Sequence, residues 1–312
     1  MKKVAVIGAG PSGITAIKNF KDQGFDVTAF ERCSGVGGNW RYNDPSGHSS
    51  VFETTHIISS KYTSYYEDFP LPDNVADYPS HKELLQYFRA YADHFKLNKN
   101  IKFNTEVMHC SQDKGHKWKI KWRKLSHNEI VEDKFDALVV CNGHHHEPRY
   151  PNYPGRFSGE YLHSHQYKKA APYAGKKVLV IGGGNSACDI AVETARISQT
   201  SALSWRRGYY LIPKFMFGLT SDMFALKARW LPRFLRLPFM KFMLELIQGK
   251  NEDIGLPKVT NHILATHPTV NSDLYNAVRH GRVKPKCDVE RFDGKTVYFQ
   301  DGSHEEFDVV IA

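Results

Sequence analysis

Residues 3–13 read KVAVIGAGPSG, and this stretch decides the fold. The apolar run predicts a buried strand, the glycines at positions 8, 10 and 13 predict a tight turn, and the run from Ile14 to Phe20 predicts a helix. Backbone N–H groups at the start of such a helix, together with the helix dipole, favour a pyrophosphate. The next predicted strand, residues 25–30, ends in Glu31, whose carboxylate can accept hydrogen bonds from a ribose diol. This ending favours an unphosphorylated ribose, as in FAD or NAD.

A second stretch of the same kind lies at residues 177–187, which read KVLVIGGGNSA. A predicted helix from Cys188 to Ile197 follows, and the next predicted strand, residues 201–205, ends in Arg206 and Arg207. Two guanidinium groups can form paired hydrogen bonds with a 2′-phosphate. The position after the second strand therefore holds an acid in the first copy and two cations in the second. These cations predict that the second copy binds NADPH. Because each copy has a strand before it and a strand after it, the pair indicates nucleotide binding rather than glycine-rich loops without ligands.

Composition and charge narrow the class of protein. The chain has 312 residues, which allows about two domains of ordinary size. The formal net charge of +9 suits anionic cofactors, and we expect no nucleic-acid partner because the basic residues are scattered and accompany no nucleic-acid motif. Five cysteines without CxxC spacing indicate a reducing compartment and argue against a disulfide reductase. The first predicted strand starts at Lys3, which leaves no room for a signal peptide, so the expected location is cytoplasmic.

Residues 209–248 are rich in aromatic and aliphatic side chains. Five basic residues interrupt every long apolar run, and two prolines are expected to break helical continuity, so we predict no membrane-spanning helix. These residues are Lys227, Arg229, Arg233, Arg236 and Lys241, with Pro232 and Pro238. The segment is expected to be an inserted subdomain or an oligomer contact, such as that of a homodimer, and a basic amphipathic anchor on a membrane surface stays open.

Residues 157–167 read FSGEYLHSHQY, which fits the pattern FxGxxxHxxxY. Together with the two glycine-rich turns, this pattern resembles the fingerprint of the flavin-containing monooxygenases, and the resemblance covers essentially the whole chain. It implies an α/β fold with two Rossmann-like dinucleotide-binding domains, the NADPH domain inserted into the FAD domain. The implied bounds are residues 1–172 for the FAD domain, 173–299 for the NADPH domain with an insertion at 209–260, and 300–312 for a strand that returns to the FAD domain. The chain stops where family members continue into a further segment, so we expect a truncated C-terminus.

The resemblance also implies which residues contact the cofactors. Residues 38–40 resemble the family's loop along FAD, Val107 resembles the residue that meets the adenine through its backbone, and Asn142 ends the strand that returns toward the flavin. With the turns and strand ends described above, the expected FAD-binding residues are Gly8, Gly10, Ser12, Gly13, Glu31, Gly38, Asn39, Trp40, Val107 and Asn142. The expected NADPH-binding residues are Gly182, Gly184, Asn185, Ser186, Arg206 and Arg207.

No catalytic side chain and no metal site are predicted. The consecutive histidines at positions 144–146 are poor metal ligands, because neighbours in an extended chain point to opposite faces and no further ligand stands at suitable spacing. The resemblance implies instead that the cofactors carry the chemistry. NADPH reduces FAD, O2 adds to give a flavin hydroperoxide, and a soft small-molecule nucleophile such as an amine or a sulfide is oxygenated.

Several alternatives stay open on the sequence. Tyr167 and Lys168 end the fingerprint where the related Baeyer–Villiger enzymes usually carry Trp or Phe followed by Pro or Asp, so oxidation of a heteroatom is the better match and oxidation of a ketone is an alternative. An uncoupled NADPH oxidase is a further alternative. A non-catalytic nucleotide-binding or scaffold protein is the alternative from another class.

One position departs from the family pattern in a way that bears on activity. Many members carry an asparagine three residues before the lysine matched by Lys61, where the resemblance implies that its amide hydrogen-bonds the oxygenated flavin. This chain has Ile58 there, and an apolar side chain donates no hydrogen bond. Ser59, Ser60 or His56 would have to substitute. The departure raises the expectation that part of the NADPH is oxidised without oxygenation.

Overall fold

The computed structural model describes residues 1–126, 129–263, 265 and 268–312. In chain order the strands are β1 Lys3–Ile7, β2 Asp26–Phe30, β3 Ile101–Lys102, β4 Thr105–Gln112, β5 Trp118–Lys124, β6 Ile130–Phe135, β7 Ala137–Val140, β8 Gly155–Phe157, β9 Glu160–Leu162, β10 Lys177–Ile181, β11 Thr200–Ser204, β12 Leu211–Ile212, β13 Phe215–Met216, β14 Leu219–Thr220, β15 Thr269–Val270, β16 Val283–Lys286, β17 Val289–Gly294, β18 Thr296–Phe299, β19 His304–Glu306 and β20 Val309–Ile311. The helices are α1 Pro11–Asp22, α2 His81–His94, α3 Asn185–Thr194, α4 Ser221–Lys227, α5 Arg233–Gln248 and α6 Leu274–Arg279. Short 3-10 helices occupy Gly38–Trp40, Asn98–Asn100, Ala171–Tyr173, Ala228–Trp230 and Asn251–Ile254.

The chain divides into two compact units. The first comprises Met1–Ile57 and Tyr65–Glu147, and the second comprises Ile58–Ser64 and Pro148–Ala312. The fold is α/β, as predicted, with a parallel sheet in each unit. The predicted boundary between residues 172 and 173 differs from the observed division, because β8 pairs with β17 and β9 pairs with β20 inside the second unit.

The first unit is built on the parallel sheet β3-β2-β1-β7. Val4, Ala5 and Val6 in β1 are fully buried, as expected for a central parallel strand. Helix α1 packs in the same core through Ile14 and Ile17. It starts earlier than predicted, because the proline in its first turn has a backbone angle suited to a helix and needs no N–H partner there. A second, antiparallel sheet, β4-β5-β6, packs against part of the same core.

The second unit contains the parallel sheet β16-β11-β10-β20-β9. The last strand, β20, lies between β10 and β9, which differs from the predicted return of residues 300–312 to the first unit. Val309, Val310 and Ile311 are fully buried. A continuous apolar run of this kind predicts a central parallel strand, but it does not determine which of two parallel sheets the strand joins.

Between β11 and β15 the second unit carries the hairpin β13-β14 and the helices α4 and α5. Helix α5 continues through Pro238, contrary to the prediction that this proline breaks it. The proline lies in the second helical turn, so the missing hydrogen bond and the crowding by its ring both fall on the carbonyl of Phe234, in the first turn of the helix. Helical spacing places several exposed apolar side chains on one face of α5, with Arg236 and Lys241 at its two edges. This exposed apolar face consists of Phe234, Leu235, Phe239, Phe242 and Leu246. Among the described residues no helix has the length and apolar character needed to cross a membrane.

Candidate nucleotide-binding sites

The first glycine turn is closed by backbone contacts that only glycine permits. Gly8 has a φ of +95°, and a Cβ at this position would overlap the carbonyl oxygen of Cys141. A Cβ on Gly13 would overlap the carbonyl oxygen of Gly8. The turn therefore joins β1 to α1 at close quarters, and it does so beside the end of β7. The sequence prediction that these glycines form a tight strand-to-helix turn agrees with this geometry.

Residues 37–40 pack against this turn from a distant part of the sequence. The N–H of Gly37 donates to the carbonyl of Ala9 at 3.1 Å. A Cβ on Gly38 would lie 3.0 Å from the Cα of Gly10, so the two backbones meet without intervening side chains. Trp40, at the end of the same short helix, is half-buried against the core of the first unit. The structure thus brings Gly10 and Gly38 together, and Trp40 lies on the same short helix as Gly38.

The start of α1 has the features of an anion site. Gly10 precedes the helix and offers no side chain to cap it. The first N–H groups of a helix lack partners inside the helix, so in the absence of a cap they are available to a ligand. Ser12 and Gly13 lie in this first turn. Their position fits the predicted contact with a pyrophosphate.

Glu31 follows β2 and is 6% exposed. One carboxylate oxygen accepts a hydrogen bond from the N–H of Ala9 at 2.6 Å, and the other accepts one from the N–H of Cys33 at 2.7 Å. A carboxylate has about four lone-pair positions, so each oxygen keeps one for a ribose hydroxyl. Glu31 therefore ties the glycine turn to the end of β2 and still has acceptor capacity for a nucleotide.

The other FAD-binding residues predicted in the first unit have different surroundings. The amide oxygen of Asn39 accepts hydrogen bonds from the N–H and the hydroxyl of Ser50, at 2.8 and 2.9 Å, so it stabilises the neighbouring loop. Val107 lies inside β4 rather than after a strand, and the register shifts between Val107 and His109. Such a bulge releases backbone groups from the ladder, which suits a contact made through the backbone. Asn142 is exposed just after β7.

The second glycine turn differs from the first in what covers it. Gly182 has a φ of +134°, and a Cβ there would lie 3.4 Å from the Cβ of Ala187. A Cβ on Gly183 would overlap the ring of Tyr209. No described atom lies within 4 Å of the place where a Cβ of Gly184 would stand. Gly184 precedes α3 without capping it through a side chain, so open space and uncapped N–H groups coincide at this helix start.

A segment more than 80 residues further along the chain supports the second turn, and no motif predicted this support. The side chain of Asn185 donates to the carbonyl of Pro268 at 3.1 Å and accepts from the N–H of Val270 at 2.7 Å. The hydroxyl of Thr269 donates to the carbonyl of Gly183 at 2.9 Å. These partners lie 83 to 86 residues apart in the sequence, so no local spacing reveals them. Asn185 is therefore engaged in holding the turn, whereas Ser186 beside it is exposed.

Helix α3 contains a half-buried acid that sequence analysis also missed. Asp189 accepts a hydrogen bond from the side chain of Asn271 at 2.6 Å. Burial raises the pKa of this carboxyl to about 6, although Lys214 and the hydrogen bond from Asn271 work in the opposite direction. Asn271 in turn accepts hydrogen bonds from the N–H groups of Asp273 and Leu274. The network fixes the 268–271 segment against the helix that carries the glycine turn.

The two arginines at the end of β11 have unequal surroundings. Both are exposed. The Nε of Arg207 donates to the hydroxyl of Tyr209 at 3.2 Å, and its guanidinium lies 5.3 Å from the centre of that ring. Within the described part of the chain, no carboxylate forms an ion pair with Arg206. Arg206 is therefore the cation with more freedom to bind a 2′-phosphate, while Arg207 braces the ring over Gly183.

The position that departs from the family pattern lies in the short segment Ile58–Ser64. Ile58 is half-buried. Of the polar substitutes, Ser59 accepts a hydrogen bond from the hydroxyl of Ser64 at 2.7 Å, and a ring nitrogen of His56 lies 2.8 Å from the carbonyl of Thr54. Each of these side chains therefore has a partner within its own loop.

Comparison with known proteins identifies the family. The family model described as flavin-binding monooxygenase-like matches residues 1–312. Flavin-containing monooxygenase 5 of Rattus norvegicus is 35% identical over 335 residues, which cover 99% of this chain and 61% of that protein. Dimethylaniline monooxygenase (N-oxide-forming) 2 of the same species is 35% identical over 330 residues, which cover 100% of this chain and 61% of that protein. The chain thus spans about 61% of the length of these curated relatives.

Solved structures share the fold. A flavin-containing monooxygenase from Stenotrophomonas maltophilia has a TM-score of 0.73 and 21% identity, over 100% of this chain and 78% of that one. S-allyl-L-cysteine S-oxygenase from Allium sativum has a TM-score of 0.70 and 23% identity, over 99% of this chain and 61% of that one. Flavin-containing monooxygenases use FAD and NADPH, the two cofactors predicted from the glycine turns. Because the family match extends over every residue, the chain belongs to the flavin-binding monooxygenase-like family.

Proposed function

We propose that this chain binds FAD and NADPH in an O2-dependent monooxygenase that oxygenates an amine nitrogen or a sulfide sulfur. The observation that carries the proposal is the pair of glycine turns, one beside the buried Glu31 and the other beside the exposed Arg206. A carboxylate next to the first turn repels a 2′-phosphate, whereas a guanidinium next to the second attracts one. The two sites are therefore suited to two different nucleotides.

The first unit fits FAD. Glycine is required at the turn, and the uncapped start of α1 offers N–H groups to a pyrophosphate. In the proposal Glu31 accepts from the ribose hydroxyls, residues 38–40 lie along the cofactor, and Val107 contributes its backbone. When bound, FAD supplies the two-electron chemistry and the activation of O2. The protein's own part is to bind and orient the cofactor.

The second unit fits NADPH. The open space at Gly184 allows a close approach of the pyrophosphate to the backbone, and the supported turn holds that backbone in place. In the proposal Ser186 and the start of α3 meet the phosphates. Arg206 binds the 2′-phosphate, and Arg207 contributes through Tyr209, which it positions over the turn.

The class of substrate is inferred from the relatives and from the end of the fingerprint. One relative is named for forming the N-oxide of dimethylaniline, and one structure of the same fold is named for oxygenating the sulfur of S-allyl-L-cysteine. Amines and sulfides share a polarisable lone pair, so both are soft nucleophiles. The fingerprint of this chain ends in Tyr167 and Lys168, whereas Baeyer–Villiger enzymes usually carry Trp or Phe followed by Pro or Asp at these two positions. The proposed partners are therefore O2 and a small molecule with such a lone pair.

Ile58 favours a second candidate function, an NADPH oxidase that releases hydrogen peroxide. An apolar side chain at this position supplies no hydrogen bond to the oxygenated cofactor. The hydroxyl of Ser59 and the imidazole of His56 each have a partner within their own loop. Oxygenation and peroxide release would then compete in the same protein.

A single assay separates these functions. The protein loaded with FAD is mixed with NADPH in air, with N,N-dimethylaniline, methyl phenyl sulfide or cyclohexanone as the probe. NADPH consumption, hydrogen peroxide and the oxygenated product are measured together. We expect an N-oxide or a sulfoxide. A lactone alone would indicate ketone oxygenation, peroxide alone would indicate an oxidase, and a protein that retains no flavin would leave only nucleotide binding.

A further inference from the structure

The segment Ile58–Ser64 has an unusual place in the fold. It groups with the second unit, although Ile57 and Tyr65 on either side of it belong to the first. The segment contains Ile58, the position of the family asparagine, and Lys61. What holds these seven residues therefore bears on the position at which many family members carry the asparagine.

A carboxylate in the inserted helices accepts hydrogen bonds from this segment. An oxygen of Asp222, in α4, accepts hydrogen bonds from the N–H of Ser60 at 2.7 Å and from the hydroxyl of Thr63 at 2.6 Å. Its other oxygen accepts from the N–H of Met223 at 2.9 Å. The two partners of the first oxygen are 162 and 159 residues away in sequence. The contacts are therefore long-range and specific to this fold.

The segment is folded as a compact turn around the carboxylate. The N–H of Thr63 donates to the carbonyl of Ser60 at 3.1 Å, and Ser60 is fully buried. Burial by itself would raise the pKa of Asp222, but hydrogen bonds from Thr63 and the N–H of Ser60 lower it to about 2. The carboxylate is therefore charged at neutral pH, and its hydrogen bonds are of the stronger, charge-assisted kind.

We propose that Asp222 is a positioning residue that fixes the conformation of the turn Ile58–Ser64, the segment that carries the position of the family asparagine. The hydrogen bonds from Ser60 and Thr63 to Asp222 show how the turn is held. The effect of the turn on oxygenation rests on the proposed function. The inserted helices thereby act on the oxygenation step through a loop that lies far from them in sequence, without contributing a catalytic group.

Substitution of Asp222 by asparagine isolates the charge. Asparagine keeps the size of the side chain and one acceptor oxygen for Ser60 and Thr63, but it removes the negative charge and places an NH2 group, which cannot accept, against the N–H of Met223. Thr63→Val removes one donor and leaves the carboxylate in place, so it is a milder variant. Glu245→Gln is the matched control, because it removes the same charge from the same group of helices, and among the described residues the ion pair of Glu245 is with Lys241.

The first measurement needs no cofactor. Trypsin cleavage after Lys61 and amide exchange of the peptide that contains Ser60 report how often the turn opens. Replacing two charge-assisted hydrogen bonds by neutral ones predicts that both become about tenfold to a hundredfold faster in Asp222→Asn. We expect a smaller increase in Thr63→Val and none in Glu245→Gln. Unchanged cleavage and exchange in Asp222→Asn would overturn the proposal, whatever the enzyme does.

The second measurement tests the functional part on the protein loaded with FAD. We expect Asp222→Asn to raise the share of NADPH that ends as hydrogen peroxide and to shift the visible flavin spectrum, with the KM for NADPH unchanged. Thr63→Val should shift both in the same direction by less. A loosened turn with an unaltered spectrum and peroxide share would contradict a positioning role. If no variant or wild type oxidises NADPH, the proposed function fails while the first measurement still decides how the turn is held.

Discussion

The two glycine turns begin from nearly the same sequence pattern and differ in how the fold completes them. In the first, Glu31 is buried and both of its oxygens accept backbone hydrogen bonds. In the second, Arg206 and Arg207 are exposed, and only Arg207 is braced by an aromatic ring. A buried acid is fixed before any ligand arrives, whereas an exposed arginine must lose conformational freedom when it binds. We infer that the first site selects by preorganisation and the second by charge.

The groups that pack over the two turns also differ in how easily they can move. The backbone of Gly38 lies against Gly10 in the first turn, so no side chain there can move aside. The ring of Tyr209 lies over Gly183 in the second, and a side chain can rotate. Gly184 faces open space. We therefore expect the first turn to tolerate substitution less well than the second.

The largest difference is expected from adding one methyl group to each turn. Gly13→Ala places a Cβ on the carbonyl oxygen of Gly8, and relieving that overlap requires backbone movement. We expect it to lower the free energy of unfolding by about 3 kcal/mol or more, the upper part of the range for overpacking. Gly184→Ala meets no atom within 4 Å and should stay within about 0.5 kcal/mol of wild type. Urea denaturation measures both, and equal losses would show that the turns are sterically alike.

The half-buried Asp189 of the second unit is expected to give the next largest effect, which is a dependence of the free energy of unfolding on pH. The folded pKa of Asp189 is raised from 3.8 to about 6, so the folded state holds more protons than the unfolded state between these values. Its contribution to stability is present below pH 3.8 and is lost as the pH rises through 6. The loss is at most about 3 kcal/mol, since one pKa unit corresponds to about 1.4 kcal/mol. Asp189→Asn should remove this decline, and an unchanged pH profile would contradict the assignment.

Arg206 is expected to affect ligand binding and not folding. Arg206→Ala removes hydrogen bonds to the 2′-phosphate, each worth about 1.5 to 3 kcal/mol, so NADPH should bind about tenfold to a hundredfold more weakly and NADH nearly unchanged. Arg207→Ala is the matched control, because its guanidinium already has Tyr209 as a partner. We expect a smaller effect there. Titration of each variant with NADPH and NADH measures the difference, and equal losses for the two nucleotides would refute selection by charge.

The smallest effect concerns a histidine of the first unit and has the opposite sign to that of Asp189. Burial lowers the pKa of His48, and the neighbouring His146, stacked at 4.4 Å between ring centres, lowers it further. The unfolded state therefore binds more protons just below the ordinary pKa of 6.5, and stability should fall as the pH drops through that region. His48→Gln should reduce the fall, and His109→Gln, at an exposed position, should not. Denaturation midpoints between pH 7 and 5 test this, and parallel profiles would contradict it.

What the sequence predicted well was local. A strand, three glycines and a helix lie within 20 residues, so the turn at Gly8 follows from spacing and from the backbone angles that only glycine adopts easily. The end of each following strand was predicted for the same reason, because Glu31 comes directly after β2 and Arg206 comes two residues after the end of β11, and these strands pair with β1 and β10. These parts of the candidate site depend on contacts that a short stretch of chain makes with itself.

What the sequence did not predict depends on distant pairing. Thr269 and Asn271 support the second turn from more than 80 residues away, and their own surroundings in the sequence have no motif. β20 pairs with β10 in the second sheet, and the sequence did not predict this pairing because an apolar run fits any central parallel position. Asp222 shows the same limitation, since an acid in the first turn of a helix is explained by the helix dipole alone. In each case the missing information is which two segments meet.

The exposed apolar face of α5 has a practical consequence for experiments on the isolated chain. Its side chains Phe234, Phe242 and Leu246 are 60 to 75% exposed on one side of a single helix, and a contiguous surface of this kind favours association in water. Sulfate strengthens such association. Light scattering and retention on a phenyl column should therefore increase with sulfate and with protein concentration. Thermal curves recorded at one concentration would then report aggregation together with unfolding, so stability comparisons among the variants need dilute protein.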